Sequence, residues 1–134
     1  VRKYGLALGF YASKSLRNNK QIVYHAVKQD GLAIQYASNS LKKNRDVVLA
    51  AVKQYGRALK YVYESLRNER EIVLAAVKQY GLALENASKV LKKDRIVVLA
   101  AVHQNGRSLR YTTKQLQNDK EIVLAANYYS FHFK

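Results

Sequence analysis

One step of 25 residues recurs along this chain and constrains its fold more than any other feature. Two apolar columns keep that step: Leu16, Leu41, Leu66, Leu91 and Leu116, and Ala26, Ala51, Ala76, Ala101 and Ala126. A period of about 20 to 50 residues is typical of stacked repeats, in which each unit covers its apolar face with its neighbours. The 134 residues therefore predict one continuous repeat array.

The repeats predict a single domain over residues 1–134. Their boundaries fall at about residues 4–29, 30–54, 55–79, 80–104 and 105–127, with residues 128–134 as a C-terminal tail or cap. The chain opens at Val1 within what reads as a repeat, and it contains no methionine. We therefore expect a processed chain, an incomplete one or a piece of a longer array.

The block from Gly56 to Tyr80 illustrates the two halves of one repeat. Its first half places apolar residues at helical spacing with polar residues opposite, which predicts an amphipathic helix of about three turns. The apolar positions are Ala58, Leu59, Val62 and Leu66, and the polar ones are Arg57, Lys60, Glu64 and Arg67.

The second half predicts another helix, which begins at Asn68. Asn68 and Glu71 match a capping box, and Gly81 ends the helix in the left-handed conformation that glycine accepts. Residues 72–77 are apolar nearly all round, as in a helix sandwiched between neighbours. Five such hairpins give about ten short helices, so the sequence predicts an all-α fold, an α-solenoid of helix-turn-helix hairpins.

A longer period of about 50 residues underlies the shorter one. Gly31 and Gly81 are followed by leucine, whereas Gly56 and Gly106 are followed by arginine. The turns alternate in the same way, between Leu-Arg-Asn or Leu-Gln-Asn and Leu-Lys-Lys. Two hairpin types therefore alternate along the array.

The recurring phrase VLAAVKQYGxAL, the LKK or LRN turn and the following EIVLAAV resemble the domain-of-unknown-function 4116 repeat family. The likeness extends over nearly the whole chain, and the first block matches with one inserted residue. It fails where Asn127 replaces a recurring valine and opens the tail NYYSFHFK. The resemblance implies the repeat fold, and it implies no activity because the family has none assigned.

Composition excludes several classes of protein. The chain has no cysteine, and therefore neither a disulfide nor a thiolate metal site. No apolar run approaches the roughly 18 to 20 residues of a membrane span, and residues 1–14 lack the pattern of a signal peptide. We expect a soluble, intracellular protein with no transmembrane segment. Its net charge of +15 favours an anionic partner such as nucleic acid, an acidic protein or a membrane surface.

Catalytic constellations are missing from the sequence. His25, His103 and His132 are scattered, and none lies at metal-ligand spacing from another. Most acids lie at the starts of second helices, where capping explains them. They include Asp46, Glu71, Asp94, Asp119 and Glu121. We therefore expect no enzyme, no metal and no cofactor, and an enzymatic role would need a catalytic domain beyond this chain.

The distribution of charge is more informative than its sum. The turn between the two helices carries eleven cations beside six of the nine acids, which indicates a solvated structural edge. Elsewhere thirteen cations face three acids, and Arg57 and Arg107 open helices where the dipole disfavours a cation. Ordinary solubility is the alternative to an anion-binding track. The candidate anion-binding or partner-binding cations are Arg57, Lys60, Arg107, Arg110, Lys53 and Lys78.

Two further columns accompany the charges. The tyrosines are Tyr11, Tyr36, Tyr61 and Tyr111, interrupted by Asn86, and the glutamines are Gln29, Gln54, Gln79 and Gln104. The tyrosine column flanks the apolar stripe, which favours packing between repeats, with base stacking at Tyr61 and Tyr111 as the alternative. An invariant glutamine column cannot encode a base sequence, so it predicts hydrogen bonds between repeats or to helix ends.

Two functions follow as hypotheses. The first is a non-enzymatic interaction or structural module that offers a basic surface to an acidic protein partner or a larger assembly. The second is binding of RNA or DNA without sequence preference, in which the basic pairs contact phosphates. The sequence leaves the partner's identity and the oligomeric state open.

Overall fold

The computed structural model describes residues 13–132, and the side chains of residues 13–127. Within this part, five long α-helices follow one another and form one layer, each packed beside the next. We name them α1 (Lys20–Gln29), α2 (Arg45–Gln54), α3 (Arg70–Gln79), α4 (Arg95–Gln104) and α5 (Lys120–His132). The predicted all-α repeat solenoid is confirmed.

A second layer lies against the long helices and is built from six-residue 3-10 helices. These are Gly31–Tyr36, Gly56–Tyr61, Gly81–Asn86 and Gly106–Tyr111. Each packs on the long helices before and after it and on the neighbouring 3-10 helix. Shorter turns complete the layer: Lys14–Arg17 and Lys114–Gln117 are α-helical, and Leu41–Lys43, Glu64–Asn68 and Leu91–Lys93 are 3-10.

The predicted three-turn first helix is wrong, because an extended residue follows each six-residue 3-10 helix. These residues are Ala37, Val62, Ala87 and Thr112. The break lets the next residue pair with the preceding repeat. The backbone N–H of Ser38 donates to the carbonyl of Arg17 at 3.0 Å, and that of Tyr63 to the carbonyl of Lys42 at 3.2 Å. Main-chain bonding between repeats thus replaces bonding within a helix.

Small and branched apolar side chains fill the space between the two layers. On α2, Val48, Ala51 and Val52 are completely buried, and Leu59 reaches them from the second layer. Alanine recurs at the Ala51 position of each long helix, which permits close helix packing. Complete burial of one valine or leucine side chain contributes about 1.5 to 3 kcal/mol, so this repeated core is the main source of stability.

The glycines serve close packing and not the left-handed turn predicted for Gly81. No glycine among the described residues has a positive φ. A Cβ placed on Gly31, Gly56 or Gly81 would lie under 3.0 Å from a backbone carbonyl oxygen in the next long helix. Each of the helices α1 to α4 ends two residues before a glycine, and the residue between them, such as Tyr55, is extended. Glycine is therefore required because neighbouring backbones nearly touch.

The long helices begin with a side-chain cap in most repeats. Asn19, Asn44 and Asp94 each accept a backbone N–H from the first turn. The predicted capping box at Asn68 and Glu71 is wrong, because Glu69 occupies the cap position and its side chain forms no capping hydrogen bond. Asn68 lies one residue too early to cap α3, and both it and Glu71 contact neighbouring repeats instead.

The two repeat types differ in their contacts at the junctions with the next repeat. After a Leu-Arg-Asn turn, the asparagine accepts a serine hydroxyl of the next repeat. Ser88 Oγ donates to Asn68 Oδ1 at 2.7 Å, and Ser38 bonds Asn18 in the same way. After the first Leu-Lys-Lys turn, the Nζ atom of Lys43 lies 4.3 Å from the ring centroid of Tyr63. At these junctions the two turn types therefore contact the next repeat through different side chains.

Two predictions concern the ends of the chain. Residues 1–12, which include Tyr11, lie outside the described residues. At the other end, α5 continues to His132 and is longer than the ten-residue helices α1 to α4. The suggested capping role of residues 128–134 depends on side chains that are also outside the described part.

Candidate functional site

The edge where the long helices begin is crossed by an ion-pair ladder. Arg45 binds Glu69 at 3.0 Å and Glu71 at 2.7 Å, both in the next repeat. The same register produces the remaining pairs of the ladder, which are Lys20 with Asp46, Arg70 with Asp94, and Arg95 with Asp119 and Glu121. The ladder engages six of the nine acids in the sequence. The prediction of a structural edge is confirmed.

Three members of the ladder have shifted pKa values. The hydrogen bonds that Arg45 donates to Glu71 and Glu69 raise its pKa, and those that Arg95 donates to Asp119 and Glu121 raise the pKa of Arg95. The hydrogen bond from Arg95, followed by the backbone N–H of Ile122, lowers the pKa of Asp119. The six acids of the ladder and four cations of this edge, Lys20, Arg45, Arg70 and Arg95, thus have partners within the array.

The opposite edge, where the long helices end, joins repeats without charge. The Oε1 atom of Gln79 accepts the backbone N–H of Gly56 at 2.5 Å, and Gln104 accepts that of Gly81 at 2.5 Å. Gln54 donates through Nε2 to the carbonyl of residue 29 at 3.3 Å. The prediction that the glutamine column bonds successive repeats is confirmed, and we call this set the amide ladder.

Four candidate cations lie at or near this second edge, and we call them the central basic cluster: Lys53, Arg57, Lys60 and Lys78. All four are exposed, and none forms an ion pair with a described residue. Lys53 and Lys78 occupy the last turns of α2 and α3, where the helix dipole favours a cation. Residues three apart eclipse in a 3-10 helix, so Arg57 and Lys60 share one side.

Tyrosine rings hold two members of the central basic cluster. The guanidinium carbon of Arg57 lies 4.7 Å from the ring centroid of Tyr80 and 5.9 Å from that of Tyr55. The Nζ atom of Lys60 lies 5.1 Å from the ring centroid of Tyr61. Because Tyr55 and Tyr80 directly follow α2 and α3, Arg57 bridges the ends of two successive long helices.

The second basic pair, Arg107 with Arg110, has different surroundings. Asn105 replaces the tyrosine that precedes Gly56, and its side chain accepts the backbone N–H of Arg107 at 2.9 Å. A hydrogen bond to Glu85 raises the pKa of Tyr111, and a contact with Arg110 acts in the opposite direction. An acid therefore lies near this pair. The structure does not join the two pairs, because a whole repeat separates them.

The tyrosine column packs against the core, as favoured above. Tyr36, Tyr61 and Tyr111 are half-buried and contact the core residues. Rings held in this way keep only part of their faces for a ligand. Packing between repeats therefore accounts for Tyr61 and Tyr111 without base stacking.

Sequence reasoning missed the outer face of the long helices, because it treated their apolar segments as sandwiched all round. Leu49, Ala50, Leu74 and Ala75 are only half-buried, and Leu124 is 69% exposed. Leu49 and Ala50 line a groove of about 750 Å³ between α1 and α2, and Leu74 and Ala75 line one of about 830 Å³ between α2 and α3. The sequence did carry a signal for this face. Leu49 and Leu74 each lie four positions before a lysine near the end of the same helix, and residues four apart share one helix face.

No metal site or membrane segment emerges from the described part of the chain. It contains no group of three or more metal-ligating side chains. Within the same residues, no helix combines the length and apolar character that crossing a membrane requires. His25 and His103 are exposed on the long helices, and the His132 side chain lies outside the described part.

Comparison with known proteins identifies the repeat. No curated protein and no solved structure matches the chain. A family model described as Domain of unknown function (DUF4116) matches residues 1–42, 44–92, 69–117 and 94–130. These successive, partly overlapping matches follow the stacked repeats along nearly the whole sequence, and the chain therefore belongs to the DUF4116 family.

Proposed function

We propose that the chain is a non-enzymatic interaction module that binds an acidic protein partner, alone or within a larger assembly. The observation that carries this proposal is the separation of the paired acids from the central basic cluster. The ion-pair ladder engages six acids at one edge. The central basic cluster at the other edge has no carboxylate partner among the described residues. Clustered cations without carboxylate partners favour an anionic ligand.

The arrangement supports an acidic protein more than a nucleic acid. Nonspecific binding to a nucleic acid relies on many phosphate contacts along the backbone and, for single strands, on stacking of bases on exposed rings. Here Glu85 interrupts the basic track before Arg110, and Tyr61 and Tyr111 are half-buried. A short cluster of four cations fits a local group of carboxylates on a protein surface.

The proposal is tested by charge reversal with a matched control. One variant changes Lys53, Arg57, Lys60 and Lys78 to Glu. The control changes four exposed lysines that lie on other surfaces, Lys14, Lys89, Lys93 and Lys114, to Glu. Both variants have the same net charge. Binding to labelled polyglutamate, single-stranded DNA and duplex DNA is then measured at low and physiological ionic strength.

We expect the cluster variant to bind polyglutamate at least about tenfold more weakly than the control variant. Equal losses in the two variants would show that net charge alone causes binding, and would contradict the proposal. Tighter binding of DNA than of polyglutamate at physiological ionic strength, lost in the cluster variant, would favour the nucleic-acid alternative.

A further inference from the structure

The grooves between α1, α2 and α3 combine an apolar floor with a basic rim. Leu49 and Ala50 form part of the floor of the first groove, and Leu74 and Ala75 part of the second. All four are half-buried in the isolated chain. A floor of this kind gains stability when a second apolar surface removes it from water.

The rim of the grooves is a row of lysines in the last turns of the helices. The row consists of Lys28, Lys53 and Lys78, one from each successive helix. The Nζ atom of Lys28 lies 5.4 Å from the ring centroid of Tyr24, and none of the three forms an ion pair with a described residue. At the other end of the grooves, Asp46 and Glu71 are already paired in the ladder. Uncompensated charge is therefore confined to one flank of the floor.

From this arrangement we infer that the outer face of α1, α2 and α3 docks an acidic amphipathic helix of a partner protein. Apolar side chains of the partner pack on Leu49 and Leu74, and carboxylates along one flank pair with the lysine row. The inference rests on the proposed function and deepens it by naming the shape of the partner segment. Charge complementarity favours an acidic helix over an uncharged one. An uncharged apolar helix would partly remove three lysines from water without giving them a charged partner, which is unfavourable.

The dimensions of the face set the length of the segment. Neighbouring helices pack about 8 to 10 Å apart, so three lysines on three helices span about 16 to 20 Å. A helix rises about 1.5 Å per residue, and about 11 to 13 residues cover that distance. The row ends after α3, because His103 occupies the lysine position on α4. A segment of three to four turns therefore fills the face.

The inference is tested with a labelled 14-residue peptide whose leucines form one helical face and whose glutamates flank it on one side. A scrambled peptide of the same composition is the ligand control. The protein variants are Leu49→Gln with Leu74→Gln, and Lys28→Glu with Lys53→Glu and Lys78→Glu. Val90→Gln is the matched protein control, because Val90 is 64% exposed and lies in the other layer. Circular dichroism of each variant verifies that the helices are retained.

We expect the amphipathic peptide to bind at least about tenfold more tightly than the scrambled one. Each groove variant should weaken its binding by about tenfold or more, and Val90→Gln should leave it unchanged. If the two peptides bind equally, or if the leucine variant binds like Val90→Gln, the docking face is overturned. Polyglutamate binding is measured separately. If the central basic cluster variant still binds polyglutamate more weakly than its control, the proposed function stands even when the docking face does not.

Discussion

Both edges of the long-helix layer join each repeat to the next, but they do so with opposite chemistry. Where the helices begin, Arg45 and Arg95 each bind two carboxylates of the following repeat. Where the helices end, Gln79 and Gln104 accept backbone N–H groups of glycines. The first edge pairs six acids with four of its cations. The second edge is joined by amides, and its cations are left for other contacts.

This difference shows why the location of the acids matters more than the net charge. The basic side chains occur at both edges, and their number alone does not indicate which surface faces a partner. Six of the nine acids belong to the ion-pair ladder. An array that joins its repeats through uncharged groups on one side keeps that side basic without weakening the contact between repeats.

The largest expected effect comes from the close approach beside the amide ladder. In Gly56→Ala, the new Cβ would meet the carbonyl oxygen of Ala76, and backbone cannot move aside as a flexible side chain can. We expect this substitution to lower the free energy of unfolding by about 3 kcal/mol or more. Urea unfolding measures it, with Ser65→Ala as an exposed control. A change as small as that of the control would mean that the repeats are not in such close contact.

A smaller loss is expected when the amide ladder is broken and the glycine is kept. Gln79→Leu removes the acceptor of the Gly56 N–H, which is partly buried. An unsatisfied donor of this kind lowers the free energy of unfolding by about 1 to 2 kcal/mol. Gln115→Leu, at an exposed position with no such bond, serves as the control in urea unfolding. Equal stability of the two variants would deny the amide ladder a role in joining repeats.

Breaking the ion-pair ladder is expected to matter less than breaking the amide ladder, because its members are solvated. Arg95→Gln removes the bonds to Asp119 and Glu121. The folded-state pKa of Asp119 is lowered chiefly by Arg95, so its contribution is present above the ordinary carboxyl pKa. It is lost as the pH falls through the lowered value.

The urea midpoint of the wild type should therefore fall more between neutral and acidic pH than that of Arg95→Gln. Added salt at neutral pH should likewise narrow the gap between the two proteins, because exposed ion pairs are screened. A larger loss of stability in Arg95→Gln than in Gln79→Leu would reverse the comparison between the edges.

The sequence predicted the array and its second helices because both depend on strong, repeated signals. The buried valines and alanines of α2 recur in α3 and α4, and apolar periodicity reports such burial directly. The first half of each repeat was harder, since apolar spacing around Ala58 and Leu59 fits a 3-10 helix nearly as well as an α-helix. Only the bond from the Tyr63 N–H to the preceding repeat decides where the helix breaks.

The candidate site was predictable in part for the same reason. Arg57 was recognised because the dipole disfavours a cation at a helix start, and Lys60 because it lies one turn on; the structure leaves both without an ion pair to a described residue. Two facts depended on contacts between repeats that a sequence does not display. One is the ring of Tyr80 beneath Arg57, and the other is Glu85 beside Tyr111. The half-exposed Leu49 was missed because an apolar residue in an apolar segment reads as core.

The smallest expected effect distinguishes the two basic pairs. Gln35 stands in the repeat before Lys60 where Glu85 stands in the repeat before Arg110, so only the second pair has an acid at that position. The hydrogen bond to Glu85 raises the pKa of Tyr111. A raised pKa stabilises the fold below the ordinary tyrosine pKa, and this contribution disappears as the pH rises through the raised value. Glu85→Gln should therefore lower the pKa of Tyr111, which tyrosinate absorbance reports when Tyr111→Phe is used to assign the signal.

Glu85→Gln should also modestly strengthen polyglutamate binding, whereas Gln35→Glu should weaken it by placing an acid near Lys60. If neither substitution changes binding, the acid at this position does not distinguish the pairs, and their difference must lie in the tyrosines that hold Arg57.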